Sequence, residues 1–155
     1  MVKKIIIGLA IILGIVITSA ITYAVTTAVQ NPKTKPSDYK IGIKYEKAIE
    51  SDKPMLALFY ADWCGFCLKF MPQYKIVSSV YKNKFNFVMI NVEAPENSEL
   101  VQNADLSGYP TLYILDPKYD NKVLLNNVIY QDMPKLRTEL DRYLRIRKIL
   151  DSASK

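Results

Sequence analysis

The two cysteines of the chain lie three positions apart in the stretch ADWCGFC, residues 61–67. A Cys-x-x-Cys pair such as Cys64 and Cys67 can bind a metal ion, close a structural disulfide or exchange electrons with another protein. A tetrahedral zinc site takes four ligands, usually cysteine and histidine, and the chain of 155 residues contains no histidine. The same absence excludes Cys–His and Ser–His hydrolytic sites. The pair is therefore predicted to do disulfide chemistry, and no metal site is expected.

The position of the pair favours redox chemistry over a structural disulfide. Cys64 follows a predicted strand and opens a predicted helix, where unpaired backbone N–H groups and the helix dipole stabilise a thiolate. Cys67 returns beneath it one helical turn later and could resolve a mixed disulfide formed at Cys64. A permanently closed disulfide stays possible, although a loop this short removes little chain entropy and stabilises little.

The elements that must position the pair are predicted from apolar patterning. The run MLALFYA at residues 55–61 is typical of a strand buried on both faces. Helical spacing of apolar residues predicts a helix over 65–82, which Pro72 is expected to kink. A second buried strand is predicted at 85–92.

The rest of the chain continues the alternation of helices and strands. Helical spacing predicts a first helix over 38–51, and a short helix is expected near 97–105. A third strand at 111–115 leads through the turn sequence DPKYDN to a fourth strand near 122–130. An apolar stripe predicts a closing helix, formed by Met133, Leu136, Leu140, Tyr143 and Leu144. This order predicts an α/β sheet with helices on both faces.

Residues 5–29 contain no charge and exceed the ~20 apolar residues that a membrane-spanning helix needs. Lys3 and Lys4 precede them and favour a cytoplasmic N-terminus, so the rest of the chain would lie across a cell membrane as a single-pass protein. The alternative is a signal peptide with an apolar region at 5–17, cleaved near residue 24. The globular part would then be secreted or periplasmic, and both interpretations export it.

The predicted domain organisation follows from these segments. Residues 1–29 are the membrane anchor or signal segment, and residues 30–39, which contain two prolines, are an extended tether. Residues 40–150 form one globular domain, and residues 151–155 are a tail.

Basic residues give the chain a formal charge of +6 and cluster late in it. The cluster is interpreted as the solvated side of the closing helix, with at most a weak contact to anionic headgroups. Its members are Lys135, Arg137, Arg142, Arg145, Arg147 and Lys148. No nucleic-acid partner is expected.

Three motifs together resemble the thioredoxin family: FYADWCGFC at 59–67, Pro72, and GYPT at 108–111. The resemblance covers residues 40–150 and implies a thioredoxin-like three-layer sandwich with a mixed central sheet. It implies that Cys64 is the attacking cysteine and Cys67 the resolving one. No cofactor other than this redox-active disulfide is implied.

The resemblance also suggests a substrate groove beside the pair. Pro110 matches the family's cis-proline, and Tyr109 before it would line the groove. Trp63 would shape the docking surface, and Phe66 would lie exposed on the first helical turn. Each has a plainer interpretation: a trans proline at a strand start for Pro110, and local packing for Trp63 and Tyr109.

Two departures from the family pattern concern the direction of electron flow. Many thioredoxins carry a buried acid at the position of Leu58 and a lysine at that of Met89, so proton removal from Cys67 should be less assisted here. Gly65 and Phe66 between the cysteines replace the usual Gly-Pro, and the histidine of strongly oxidising relatives is absent. We expect an intermediate reduction potential.

The sequence thus predicts a membrane-tethered thiol:disulfide oxidoreductase, acting as reductase, isomerase or oxidase. Its expected partners are cysteine-containing exported proteins, a membrane redox partner and the lipid bilayer through residues 5–29. Two alternatives remain open. One is a docking or assembly module with an unused cysteine pair, and the other is a disulfide relay dedicated to one client system.

Overall fold

The computed structural model describes residue 8, residues 11–19 and residues 33–154. The chain divides into two compact units, Met1–Pro32 and Lys33–Lys155. In the first unit residues 11–19 are helical. Within the described ranges, no helix is both long enough and apolar enough to cross a membrane. Most of the predicted anchor at 5–29 lies outside those ranges.

A mixed four-stranded sheet forms the centre of the second unit. Its strands are β1 (Met55–Tyr60), β2 (Asn86–Asn91), β3 (Thr111–Asp116) and β4 (Asn121–Leu125), in the order β2-β1-β3-β4. β1 is parallel to β2 and antiparallel to β3, and β3 is antiparallel to β4. The tight β3–β4 connection turns at Asp120, whose φ is 46°. The buried runs of the sequence thus predict β1, β2 and β3 correctly.

The helices of this unit are α1 (Tyr45–Ile49), α2 (Gly65–Tyr81), α3 (Ser98–Gln102), α4 (Asn127–Tyr130) and α5 (Met133–Ala153). α2 continues through Pro72 without interruption. Asp132 is the N-cap residue of α5, and its carboxylate accepts a hydrogen bond from the Lys135 backbone N–H.

The side chains of β1 alternate between two separate cores, as the period of a strand requires. Leu56 and Leu58 face α2 and α5. Met55, Ala57 and Phe59 face the opposite side, against residues of α1 and α3. Since every residue of β1 is buried, the strand is covered on both faces. The predicted α/β sandwich is confirmed, with the redox pair immediately after its most buried strand.

The helix predicted over 38–51 is wrong in its first half, and the tether before it is not extended throughout. Pro36–Tyr39 form a 3-10 turn. Lys40 and Gly42 then adopt positive φ angles of 46° and 84°. The backbone runs against β2 here, where a Cβ on Gly42 would lie 1.9 Å from the Phe87 carbonyl oxygen. The helical spacing of apolar residues persists across this break, but the helix itself begins only at Tyr45.

The strand predicted over 122–130 is wrong beyond Leu125. β4 ends at Leu125. The side chain of the next residue, Asn126, accepts a hydrogen bond from the Ile129 N–H at 3.1 Å. This contact caps α4, since an asparagine side chain readily satisfies the free N–H groups of a first helical turn. The local cap overrides the strand preference of Val128 and Ile129.

Candidate redox site

Cys64 is the N-cap residue of α2. Its sulfur accepts a hydrogen bond from the Cys67 backbone N–H at 3.1 Å, and its carbonyl accepts one from Leu68 at 3.0 Å. One of the free N–H groups of the helix start is therefore aimed at the sulfur. In the reduced protein the same N–H and the helix dipole favour negative charge on Cys64.

The two cysteines form a disulfide, with their Cα atoms 5.2 Å apart. Cys64 is 5% exposed and Cys67 is fully buried. Cys64 therefore keeps a small contact with solvent, whereas Cys67 has none. Of the two sulfurs, Cys64 is the one nearer to solvent.

The segment before β3 lies directly against the pair. The Tyr109–Pro110 peptide bond is cis, as the resemblance implied, and the Tyr109 carbonyl oxygen lies 3.5 Å from the Cys64 sulfur. The Tyr130 hydroxyl donates a hydrogen bond to the Pro110 carbonyl at 2.8 Å. The Thr111 hydroxyl donates to the Gly108 carbonyl. Side chains of two elements thus hold this segment in place.

Two large aromatic side chains project into solvent beside the disulfide. Trp63 is 71% exposed and Phe66 is 72% exposed. The Trp63 ring meets the Tyr109 ring edge-on at 6.2 Å between centroids. Exposed aromatic clusters of this kind commonly mark contact surfaces. Trp63 therefore does not pack in the core, and Tyr109 both packs locally and lines the groove described next.

A groove of about 500 Å³ opens on the Pro110 side of the disulfide. Phe66, Tyr109 and Pro110 form one part of its wall. The opposite part, which the sequence does not assign to the site, comes from the end of β4 and from α4. It includes Leu124, Asn126, Asn127, Tyr130 and Gln131. The Asn126–Asn127 pair, which interrupts the apolar pattern after β4, is the sequence signal that could have located this wall.

Among residues 33–154, no charged side chain belongs to the buried cluster around the pair. Leu58 is fully buried and adjoins Met89 in the β1–β2 register, and Met89 packs against the cluster that contains both cysteines. Tyr60 belongs to that cluster too, and burial together with the charge of Asp62 raises its pKa to about 12. Tyr60 is therefore a neutral phenol at physiological pH and cannot act there as a base.

Asp62 connects the N-terminal end of the unit to the residues just before Cys64. Its carboxylate accepts hydrogen bonds from the Ser37 N–H at 3.0 Å and the Ser37 hydroxyl at 2.8 Å. The Lys35 ammonium lies 3.8 Å away. The Asp62 N–H donates to the Glu93 carboxylate. Asp62, on the N-terminal side of Trp63, is therefore held by contacts to both its carboxylate and its backbone N–H.

The structure shows no cluster of three or more His, Cys, Asp or Glu side chains that could hold a metal ion among the residues it describes, which are residue 8, residues 11–19 and residues 33–154.

Comparison with known proteins gives one family match. A family model described as Thioredoxin matches residues 39–131. The chain is 37% identical over 67 residues to the probable protein disulfide-isomerase A6 of Medicago sativa, covering 43% of this chain and 18% of that protein. It is 35% identical over 74 residues to the chloroplastic thioredoxin-like protein HCF164 of Arabidopsis thaliana, covering 48% and 28%. The chain thus spans less than a third of the length of these relatives.

Solved structures show the same architecture. The germline-specific thioredoxin Deadhead of Drosophila melanogaster superposes with a TM-score of 0.53 and 27% identity, covering 63% of this chain and 90% of that one. The J-Trx1 fragment of ERdj5 gives a TM-score of 0.55 at 17% identity, covering 65% and 48%. This second similarity concerns the fold alone.

Proposed function

Because the chain belongs to the thioredoxin family, we propose that it is a membrane-tethered thiol:disulfide oxidoreductase that acts on exported proteins through Cys64 and Cys67. The observation that carries the proposal is the asymmetry of the pair at the start of α2. Cys64 is reachable and receives the Cys67 N–H on its sulfur, while Cys67 is buried. A purely structural disulfide does not require an accessible sulfur at a helix N-terminus.

In the reducing direction, the Cys64 thiolate attacks one sulfur of a client disulfide. A Cys64–client bond forms, and the other client sulfur leaves as a thiolate that takes up a proton. Cys67 then loses its proton and attacks the Cys64 sulfur, which releases the second client thiolate. Two electrons pass to the client, and the Cys64–Cys67 disulfide forms. Oxidation of a client dithiol is the same sequence in reverse.

The chain's own residues set how easily each step proceeds. The N–H of Cys67 and the α2 dipole stabilise Cys64 as attacking and as leaving thiolate. Leu58 and Met89 offer the Cys67 proton no carboxylate acceptor, so its removal should be less assisted than in thioredoxins that carry a buried acid at the position of Leu58. An intermediate reduction potential is expected from this combination, and equilibration of the full-length chain with glutathione buffers measures it.

The proposed location rests on the sequence of the N-terminal segment. The uncharged residues 5–29 follow Lys3 and Lys4, a pattern that favours a single span with a cytoplasmic N-terminus. The globular unit would then lie outside the cytoplasm, where disulfides persist. Its partners would be cysteine-containing exported proteins and a membrane redox partner that restores the state of the pair. Cleavage of the segment would instead leave the unit secreted or periplasmic.

Trapping of mixed disulfides tests the proposal. Cys67→Ser in the full-length, membrane-inserted protein should accumulate clients bonded to Cys64. Cys64→Ser is the matched control and should capture far fewer, because its remaining thiol is buried. Many clients would indicate general exchange, and one client would indicate a dedicated relay. If no adducts form and the wild-type protein does not reduce insulin, the protein is a docking module and the enzymatic proposal fails.

A further inference from the structure

A second, smaller pocket lies between the first turns of α2 and the end of α4, next to the groove. We call it the α2–α4 pocket. It has a volume of about 250 Å³. Its lining residues are Phe66, Lys69, Phe70, Gln73, Pro110, Tyr130 and Gln131. Phe66 separates the two cysteines in sequence and Pro110 follows the carbonyl beside Cys64, so a client segment bonded to Cys64 passes this pocket.

The pocket combines an apolar floor with hydrogen-bond donors at its edge. Phe70, Pro110 and Tyr130 are buried and form the floor. Lys69, Gln73 and Gln131 supply an ammonium and two amide groups. The Lys69 ammonium lies 5.8 Å from the centre of the Phe66 ring. The side chain of Lys69 is therefore near the exposed surface that a client must cover.

The charge around the redox pair on this side has one sign. No carboxylate lines either the groove or the α2–α4 pocket, and Lys69 is the one charged residue that lines them. In the part of the chain that the structure describes, Lys69 forms no ion pair. The cation is thus unneutralised within the unit and is available to an incoming group of opposite charge.

We propose that the α2–α4 pocket selects client segments that carry a carboxylate side chain close to the reacting cysteine. The inference rests on the proposed function and adds its substrate preference. A glutamate or aspartate of the client would place its methylene groups over Phe66 and Tyr130 and its carboxylate against Lys69, with the amides of Gln73 and Gln131 as further donors. Clients with lysine at the same place would meet a like charge in a site that offers it no acceptor carboxylate.

Exchange rates with short disulfide peptides test this preference. Three homodimeric peptides are compared, each joined by the disulfide between its two central cysteines, so that attack by Cys64 on one half releases the other as a thiolate. The residues flanking the cysteine are glutamate, glutamine or lysine. The full-length reduced protein in uncharged detergent is mixed with each, and the rate of mixed-disulfide formation at Cys64 is measured. The quantity of interest is the ratio of the glutamate-peptide rate to the lysine-peptide rate. A change in the thiolate population of Cys64 alters all three rates alike, and the intrinsic reactivity of each peptide is the same for every protein variant. The change in this ratio between variants therefore isolates recognition.

Lys69→Glu should lower the ratio by about threefold to tenfold, the size expected for reversing a partly exposed ion pair. Lys75→Glu is the matched control, because Lys75 is exposed on the same helix and lines neither pocket. It imposes the same change in net charge and should alter the ratio by less than about 1.5-fold at physiological ionic strength.

Two results would overturn the inference while leaving the proposed function intact. One is a glutamate-to-lysine ratio that Lys69→Glu leaves unchanged. The other is an equal effect of the two variants, which would assign the preference to overall charge. A protein that forms mixed disulfides with none of the peptides, including the glutamine one, would refute the proposed function and this inference together.

Discussion

Replacing Tyr130 with phenylalanine separates the structural support of the groove from its chemistry. The Tyr130 hydroxyl donates to the Pro110 carbonyl at 2.8 Å, and the side chain is 6% exposed. Burial raises the pKa of Tyr130 above its usual value, so the hydroxyl is a donor at every pH at which the fold is assayed. Tyr130→Phe keeps the ring and removes only this donor.

The expected loss of stability follows from the burial of both partners. A buried acceptor deprived of its donor costs about 1–3 kcal/mol, because water cannot replace the lost hydrogen bond. Pro110 is buried, so we expect a loss of about 2 kcal/mol. Tyr81→Phe is the control. Its hydroxyl donates to the Asp141 carboxylate at 3.1 Å in a partly buried place, where water can substitute, and about 0.5–1 kcal/mol is expected.

Urea unfolding followed by circular dichroism measures the two stabilities, and peptide exchange at Cys64 measures function. Loss of the Tyr130 hydroxyl frees the Pro110 segment, and we expect exchange to slow by about threefold to tenfold. That is below the roughly hundredfold cost of misplacing a reacting group by about 1 Å. Tyr81→Phe should leave exchange unchanged. The reasoning is refuted if Tyr130→Phe costs less than about 0.5 kcal/mol, or if the two variants slow exchange equally.

Three further outcomes are expected. Tyr74→Phe, which removes a buried hydroxyl that bridges the backbones of β1 and β2, should lower stability in urea by about 2–4 kcal/mol, because several buried groups lose a partner. Leu58→Asp combined with Met89→Lys places a carboxylate and its counter-ion at paired positions of β1 and β2 beneath the cysteines. Stopped-flow measurements should then show faster resolution of mixed disulfides near neutral pH, because the carboxylate can accept the Cys67 proton. An unchanged rate would contradict a need for a proton acceptor. The hydrogen bond from Arg142 lowers the pKa of Glu139 from 4.5, so the unfolded chain binds this proton more readily. The stabilisation that ionised Glu139 provides is therefore present above about pH 4.5 and is lost as the pH falls through the lower pKa of the native state. In a plot of the urea unfolding midpoint against pH, Glu139→Gln should make the fall at acid pH less steep.

The features that the sequence predicts well are those with a strong local cause. The run at 55–61 is apolar throughout, which predicts a buried strand. A Cys-x-x-Cys pair that follows such a strand and precedes a helical pattern predicts Cys64 at the start of the helix and Cys67 one turn later. The cis bond at Pro110 was expected from the resemblance and not from the residues themselves, because a trans bond is the commoner state.

The errors arise where a tertiary contact or a side-chain cap competes with a periodic pattern. The apolar spacing before α1 is helical, but the close approach to Phe87 requires a left-handed Gly42 and breaks the helix. Residues 128–130 carry strand-forming side chains, but the Asn126 cap and the Tyr130 hydrogen bond accompany a short helix instead. The wall of the groove formed by α4 was missed for this reason.

The hydrogen bonds between Ser37 and Asp62 also bear on how the globular unit should be produced. A recombinant fragment cut at residue 40, where sequence patterning would put the boundary, discards the buried Pro36 and both Ser37 donors. In such a fragment Asp62, which lies two residues before Cys64, lacks these hydrogen-bond donors, so assays of the fragment measure a site with an altered environment. A cloning boundary at or before Lys33 retains these partners, so kinetic values from the fragment can be compared with those from the full-length chain.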